Sequence, residues 1–269
     1  MEKLDYLIKY LVDENTRINV ESHPSTTLEK QRLYHALVNV RQPNKISDKY
    51  LESEDEYLQY LLSRKGVTKM DDIQTLDETY PDTKIRNSDK MALWRGDITT
   101  LEIDAIVNAA NSQGLGCFMP LHKCIDNQIN TYAGIRLRLE CNEYMKTINY
   151  HLDTGKAFIT GAYNLPSDYV IHTVGPIIST NVTDDDEKLL CDCYVNSLEL
   201  SRKHDIKNLA FCSISTGEFG YPKTDACRSV LKCVDDYLDK HYDDFDRIVF
   251  DVFDEEDVMI YERYIREYK

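Results

Sequence analysis

The sequence predicts an α/β protein, a largely parallel sheet with helices on both faces, preceded by a small helical unit. Three observations carry that expectation. From Met91 onward, short apolar runs rich in Ile, Val, Phe and Tyr alternate with helix-length amphipathic stretches, the pattern of βα units. Before residue 67 the only sustained period is helical. A chain of 269 residues, 42% apolar, can bury a full core without disulfide or metal staples, which fits one large domain with an appendage.

Taken in order, Leu4, Ile8, Leu11 and Val12 give helical spacing over residues 2–13. A second helix follows the cap signal Thr26-Thr27 ahead of Glu29 and carries Leu33, Leu37 and Val38. A third starts near Ser47-Asp48, places Tyr50, Leu51, Tyr57, Leu58 and Leu62 on it, and stops at Gly66. Residues 67–90 are polar, contain Pro81 and hold no period, so they read as a connection. Strands are predicted at 91–94, 103–108, 157–163, 168–174, 208–213 and 247–253, and helices at 123–146, 185–204, 223–240 and 255–267. The acidic run Asp184-Asp185-Asp186 suits the N-terminus of the second of these helices.

A net charge of −15 without any basic run argues against nucleic-acid binding, which draws its affinity from Lys and Arg on phosphates. An anionic ligand would therefore be held by backbone amides and helix N-termini. Charged residues break up the first twenty positions, unlike a signal peptide, and no stretch is long and apolar enough to span a bilayer. Eight cysteines without regular spacing fit reduced thiols in a cytoplasmic protein better than a disulfide framework.

Ligands of parallel sheets sit beyond the carboxyl ends of strands, and two loops there hold most of the useful chemistry. One runs from Asn108 to Asp126 and packs Asn108, Asn111, Cys117, His122, Cys124 and Asp126 into one turn region. Two thiols and an imidazole within eight residues suit zinc; buried thiols with His122 capping the next helix satisfy the same spacing. The other loop, Ser213 to Pro222, offers consecutive amides and two glycines for close approach to a phosphate, although a plain strand-to-helix turn also fits. The two loops should converge. Thr154-Gly155-Lys156 lacks the glycine of a P-loop at Tyr150. Cys191 and Cys193 point to different helix faces, and His172, inside an apolar run, reads as a hydrogen-bonded core histidine.

Four motifs occur in the order seen in macrodomains: Gly96-Asp97-Ile98-Thr99, Val107-Asn108-Ala109-Ala110-Asn111, Tyr169-Val170-Ile171-His172-Thr173-Val174-Gly175-Pro176 and Ser213-Ile214-Ser215-Thr216-Gly217. Over about residues 91–253 the chain resembles that family. The insert from Gly116 to Asp126 resembles the zinc-dependent macrodomains, microbial protein-ADP-ribose hydrolases linked to sirtuin-type ADP-ribosyltransferases. The resemblance implies a three-layer α/β/α fold with a mixed, largely parallel sheet over residues 89–269, with residues 1–88 as extension and linker.

It further implies adenine recognition at Asp97 and the Ile98 amide, and diphosphate binding by the loop of Ser215, Thr216, Gly217, Glu218 and Phe219. Asn111 would bond the distal ribose, with Tyr221 or Phe219 packed against it. Zinc would sit on Cys117, His122 and Cys124, and Asp126 with Asn111 would carry catalysis at C1″. Asn130 stands where many macrodomains have histidine. Three other readings remain open: a reader that binds ADP-ribose without turnover, a hydrolase of O-acetyl-ADP-ribose or ADP-ribose 1″-phosphate, and a regulatory protein whose helical unit docks a partner enzyme.

Overall fold

The computed structural model describes residues 2–14 and 24–268; the end of the charged first stretch lies outside them. Three helices come first, α1 (Glu2–Glu14), α2 (Thr27–Val40) and α3 (Asp48–Lys65). Thr26 accepts from the Glu29 amide while the Glu29 carboxylate accepts from the Thr26 N–H, so two otherwise orphaned donors at the start of α2 are satisfied. The apolar faces of the three helices meet in their own cluster, with Leu7, Tyr34, Tyr50 and Leu58 fully enclosed.

Residues 67–90 are more than a connection. They hold β1 (Thr68–Lys69), a 3-10 turn at Met70–Asp72 and α4 (Leu76–Thr79). β1 pairs in parallel with β3 (Leu101–Glu102), a ladder too short to print a period on the sequence.

The main sheet contains β2 (Met91–Arg95), β4 (Ala105–Ala109), β5 (Ala157–Gly161), β6 (Tyr169–Thr173), β7 (Asn208–Phe211) and β8 (Arg247–Val252). Their order across the sheet is β2-β8-β7-β4-β6-β5. Every neighbouring pair is parallel except β5 with β6. The sheet is thus mixed and mostly parallel. Ile106, Val107, Val170, Ile171, Leu209 and Ile248 are fully buried, as strands covered on both faces require. Helices α7 (Asp184–Lys203), α8 (Lys223–His241) and α9 (Glu255–Glu267) follow the predicted spans closely.

The span 123–146 departs from expectation: it is two helices, α5 (Ile125–Ala133) and α6 (Ile135–Thr147). Gly134 separates them at φ 91°, a conformation glycine reaches without penalty. A side chain there would lie 2.9 Å from Glu54 Oε2 and 3.0 Å from Leu58, so the glycine also lets α3 approach. Glu54 is buried and accepts from the Ile135 amide at 2.8 Å and from Tyr34 Oη at 2.8 Å. A carboxylate from the helical unit therefore caps α6.

The chain leaves β4 toward β6 on one side and returns to β7 on the other. That reversal places a crevice beyond the carboxyl ends of β4 and β7, which lie side by side with Val107 opposite Phe211. Among the described residues no helix is long and apolar enough to cross a membrane.

Candidate functional site

The loops leaving β4 and β7 converge over that crevice, as expected: His122 Nε2 lies 3.4 Å from Glu218 Oε1. On the β4 side, one ligand-type atom from each of Cys117, His122 and Cys124 falls within 4.8 Å of the others. The His122 ring turns Nδ1 toward Cys117 Sγ at 3.7 Å, leaving Nε2 for Glu218. Two thiols and an imidazole are a donor set that suits Zn²⁺. A carboxylate on the second ring nitrogen is what orients a ligating histidine. The residues present therefore fit a zinc ion. Burial, with Asp126 and Cys117 nearby, pushes the Cys124 thiol up to about 12, a penalty that a bound cation reverses by holding the thiolate.

Asp126 sits in the first turn of α5 and is buried. Its Oδ1 accepts from Asn108 Nδ2 at 2.8 Å and Asn130 Nδ2 at 3.0 Å, and its Oδ2 faces Asn111 Nδ2 at 3.4 Å. Burial pushes its carboxyl up to about 6, while Asn108, the Arg138 guanidinium and Asn130 pull the other way. Asn111 Nδ2 also donates to the Gly116 carbonyl at 3.2 Å, which ties the two catalytic candidates to the loop that carries the Cys117, His122 and Cys124 cluster. Behind them, Asn108 Nδ2 reaches His172 Nδ1 at 3.1 Å and His172 Nε2 meets Thr160 Oγ1 at 3.0 Å. Burial depresses the His172 imidazole to about 3, so it stands neutral, the hydrogen-bonded core histidine expected.

The β7 loop is built differently. Ser215 holds φ at 66° and its carbonyl accepts from the Tyr221 amide at 3.0 Å. Thr216 turns its hydroxyl inward onto the Ser213 carbonyl at 3.1 Å. The amides of Thr216, Gly217, Glu218 and Phe219 have no protein acceptor among the described residues. Four consecutive free N–H groups make an anion nest. Gly175 supports it by close approach, since a side chain there would sit 2.0 Å from Ser215 Oγ. Tyr221 is only 2% exposed, which leaves little of its ring to pack on a ligand and so goes against the expected ribose contact, whereas Phe219 is half-buried.

At the far end, Asp97 follows β2 and caps a 3-10 turn through Thr99 N at 3.1 Å. Burial opposes its ionisation, but Lys65 Nζ at 2.8 Å and the Thr99 donors outweigh this and hold its carboxyl below the usual range. Ile98 is buried beside it. Lys65 comes from α3 and also stands 3.3 Å from the Tyr132 ring centroid; no local signal links it to a residue 32 positions away. Phe253 reads as a strand end, yet it is 78% exposed just beyond β8, the neighbour of β2.

A family model described as Macro domain matches residues 107–230. A Treponema medium protein named protein-ADP-ribose hydrolase is 42% identical over 262 residues, covering 97% of this chain and 97% of that protein. A Staphylococcus aureus (strain MSSA476) protein of the same name is 40% identical, covering 96% of this chain and 93% of that protein. Among solved structures, the Trypanosoma brucei macrodomain in complex with ADP-ribose aligns with a TM-score of 0.65 at 28% identity, over 85% of this chain and 94% of that one. With this fold, these two loops and relatives so similar over nearly their whole length, the chain belongs to the macrodomain family.

Proposed function

We propose that this protein is a hydrolase that removes mono-ADP-ribose from modified protein side chains, with zinc held by Cys117, His122 and Cys124. The observation that carries this reading is the meeting of two half-sites. Three metal-type ligand atoms within 4.8 Å, beside Asp126 and Asn111, face a run of four unpaired amides across one crevice. Relatives bearing the name protein-ADP-ribose hydrolase support it.

Asp97 and the Ile98 amide take the adenine end, where the carboxylate accepts from the exocyclic amine and Phe253 offers an exposed ring. The amides from Thr216 to Phe219 hold the diphosphate, which explains how a chain of net charge −15 binds a dianion. Asn111 bonds the distal ribose and fixes its C1″ near Asp126. A zinc ion, when bound, supplies Lewis acidity at the reacting end. Asp126 accepts a proton from the attacking water while the bond from C1″ to the protein side chain breaks and the water oxygen joins C1″. A carboxyl poised near neutrality suits that duty. The modified substrate on this reading comes from a sirtuin-type ADP-ribosyltransferase in the cytoplasm, a compartment in keeping with the eight unpaired cysteines.

The test pairs metal analysis with release of ADP-ribose from a mono-ADP-ribosylated protein. Cys117→Ala with Cys124→Ala is expected to lose zinc and to slow release by at least about 100-fold. Full turnover by a zinc-free double variant sinks the zinc reading. Tight ADP-ribose binding by the native protein without any release sinks the hydrolase reading in favour of a reader.

A further inference from the structure

We propose that Asn39, in the last turn of α2, is a positioning residue for His122, so that the N-terminal helical unit forms part of the frame of the metal loop. This inference rests on the zinc reading above. Met119-Pro120-Leu121-His122 is a turn closed by the His122 amide on the Met119 carbonyl at 3.3 Å. Leu121, its third residue, holds φ at 58°. Proline second and a positive φ third mark a type II turn, whose third position belongs to glycine or asparagine. A leucine there is strained, because its Cβ crowds the following carbonyl oxygen, so something outside the turn must hold it.

Asn39 is that support. It is 1% exposed, its Oδ1 accepts from the Leu121 amide at 3.0 Å and its Nδ2 donates to Thr131 Oγ1 at 2.9 Å. Thr131 leads on to Asn127 Oδ1 at 3.5 Å, and Asn127 Nδ2 donates to the Met119 carbonyl at 3.0 Å. The turn before His122 is thereby gripped at Met119 and at Leu121. Arg138 fixes Asn39 in turn. Buried on α6, it donates through Nη1 to the carbonyls of Val38, Asn39 and Arg41 at 2.7, 3.0 and 2.8 Å, and through Nε to the Leu115 carbonyl at 2.7 Å. One guanidinium thus joins the end of α2 to the start of the metal loop.

The experiment titrates the full-length protein with zinc against a chromophoric chelator and follows ADP-ribose affinity alongside. Asn39→Ala should weaken zinc about 10- to 100-fold, the usual effect of removing a group that orients a metal ligand, and leave ADP-ribose affinity at its native value. Adding Leu121→Gly should recover most of the loss, because glycine adopts the turn unaided. Native zinc affinity in Asn39→Ala, or a loss that Leu121→Gly does not recover, overturns the positioning role. If Asn39→Ala does not fold, Thr131→Val carries the test with a smaller loss of the same sign, and native affinity there overturns it. A native protein that binds no zinc overturns the zinc reading itself, and this inference with it.

Discussion

The two loops that meet over the sheet solve opposite problems with opposite materials. The loop after β4 presents side chains: two thiols, an imidazole, an amide and a carboxylate, the last two held by Gly116 and Asn108. The loop after β7 presents backbone, its amides unpaired and its Thr216 hydroxyl turned away into the structure. A site for a cation and a proton needs donors that only side chains supply, whereas a diphosphate is satisfied by N–H groups any residue carries. The β4 loop should therefore be fragile to truncation of single side chains, and the β7 loop to displacement of its backbone.

The largest effect falls on the side-chain loop. Asp126→Asn keeps the shape of the group and can still accept from Asn108 and Asn130, but it cannot take a proton. Turnover should drop about 10²- to 10⁴-fold, with ADP-ribose affinity within severalfold of native by calorimetry. An Asp126→Asn protein that releases ADP-ribose at the native rate would remove Asp126 from the chemistry. Next comes a change on the backbone loop that touches no ligand-facing side chain. Gly175→Ala places a methyl 2.0 Å from Ser215 Oγ and 2.7 Å from Ile214 Cγ2, so Ser215 must move, and the amide run after it moves too. ADP-ribose affinity should fall about 10-fold or more, as when hydrogen bonds to a charged group are lost, while zinc content stays native. Equal loss of both would mean that the two loops are one mechanical unit and would erase the distinction.

The comparison also explains what the sequence disclosed. Chemistry-bearing side chains are visible as letters, so Cys117, His122, Cys124 and Asp126 stand out as a group in the sequence, and the cap signals at Thr26 and Ser47 mark helix starts that the structure repeats. Strand and helix order is legible because the inner strands, buried on both faces, read as near-continuous apolar runs between helical periods. What stayed hidden lives in pairings far apart along the chain. Lys65 on Asp97, Glu54 on the Ile135 amide, and Arg138 on the end of α2 join residues 32 to 100 positions apart, and no local pattern encodes such contacts. The break at Gly134 is equally hidden, because amphipathic periodicity runs through it and the reason for the glycine, the approach of Glu54 and Leu58, sits on another helix.

The smallest predicted effect is the most discriminating one. Thr216 lies within the amide run, and its hydroxyl donates to the Ser213 carbonyl rather than standing free. In Thr216→Ala the amide remains while one neutral hydrogen bond inside a surface loop is lost, worth about 0.5–1.5 kcal/mol to the loop. Only a fraction of that reaches the ligand, so ADP-ribose Kd should rise by no more than about threefold, or about 0.7 kcal/mol. Calorimetry on the full-length protein measures it directly. A tenfold or larger loss would show that the hydroxyl itself meets the ligand after the loop reorganises, and the contrast between a backbone loop and a side-chain loop would fail.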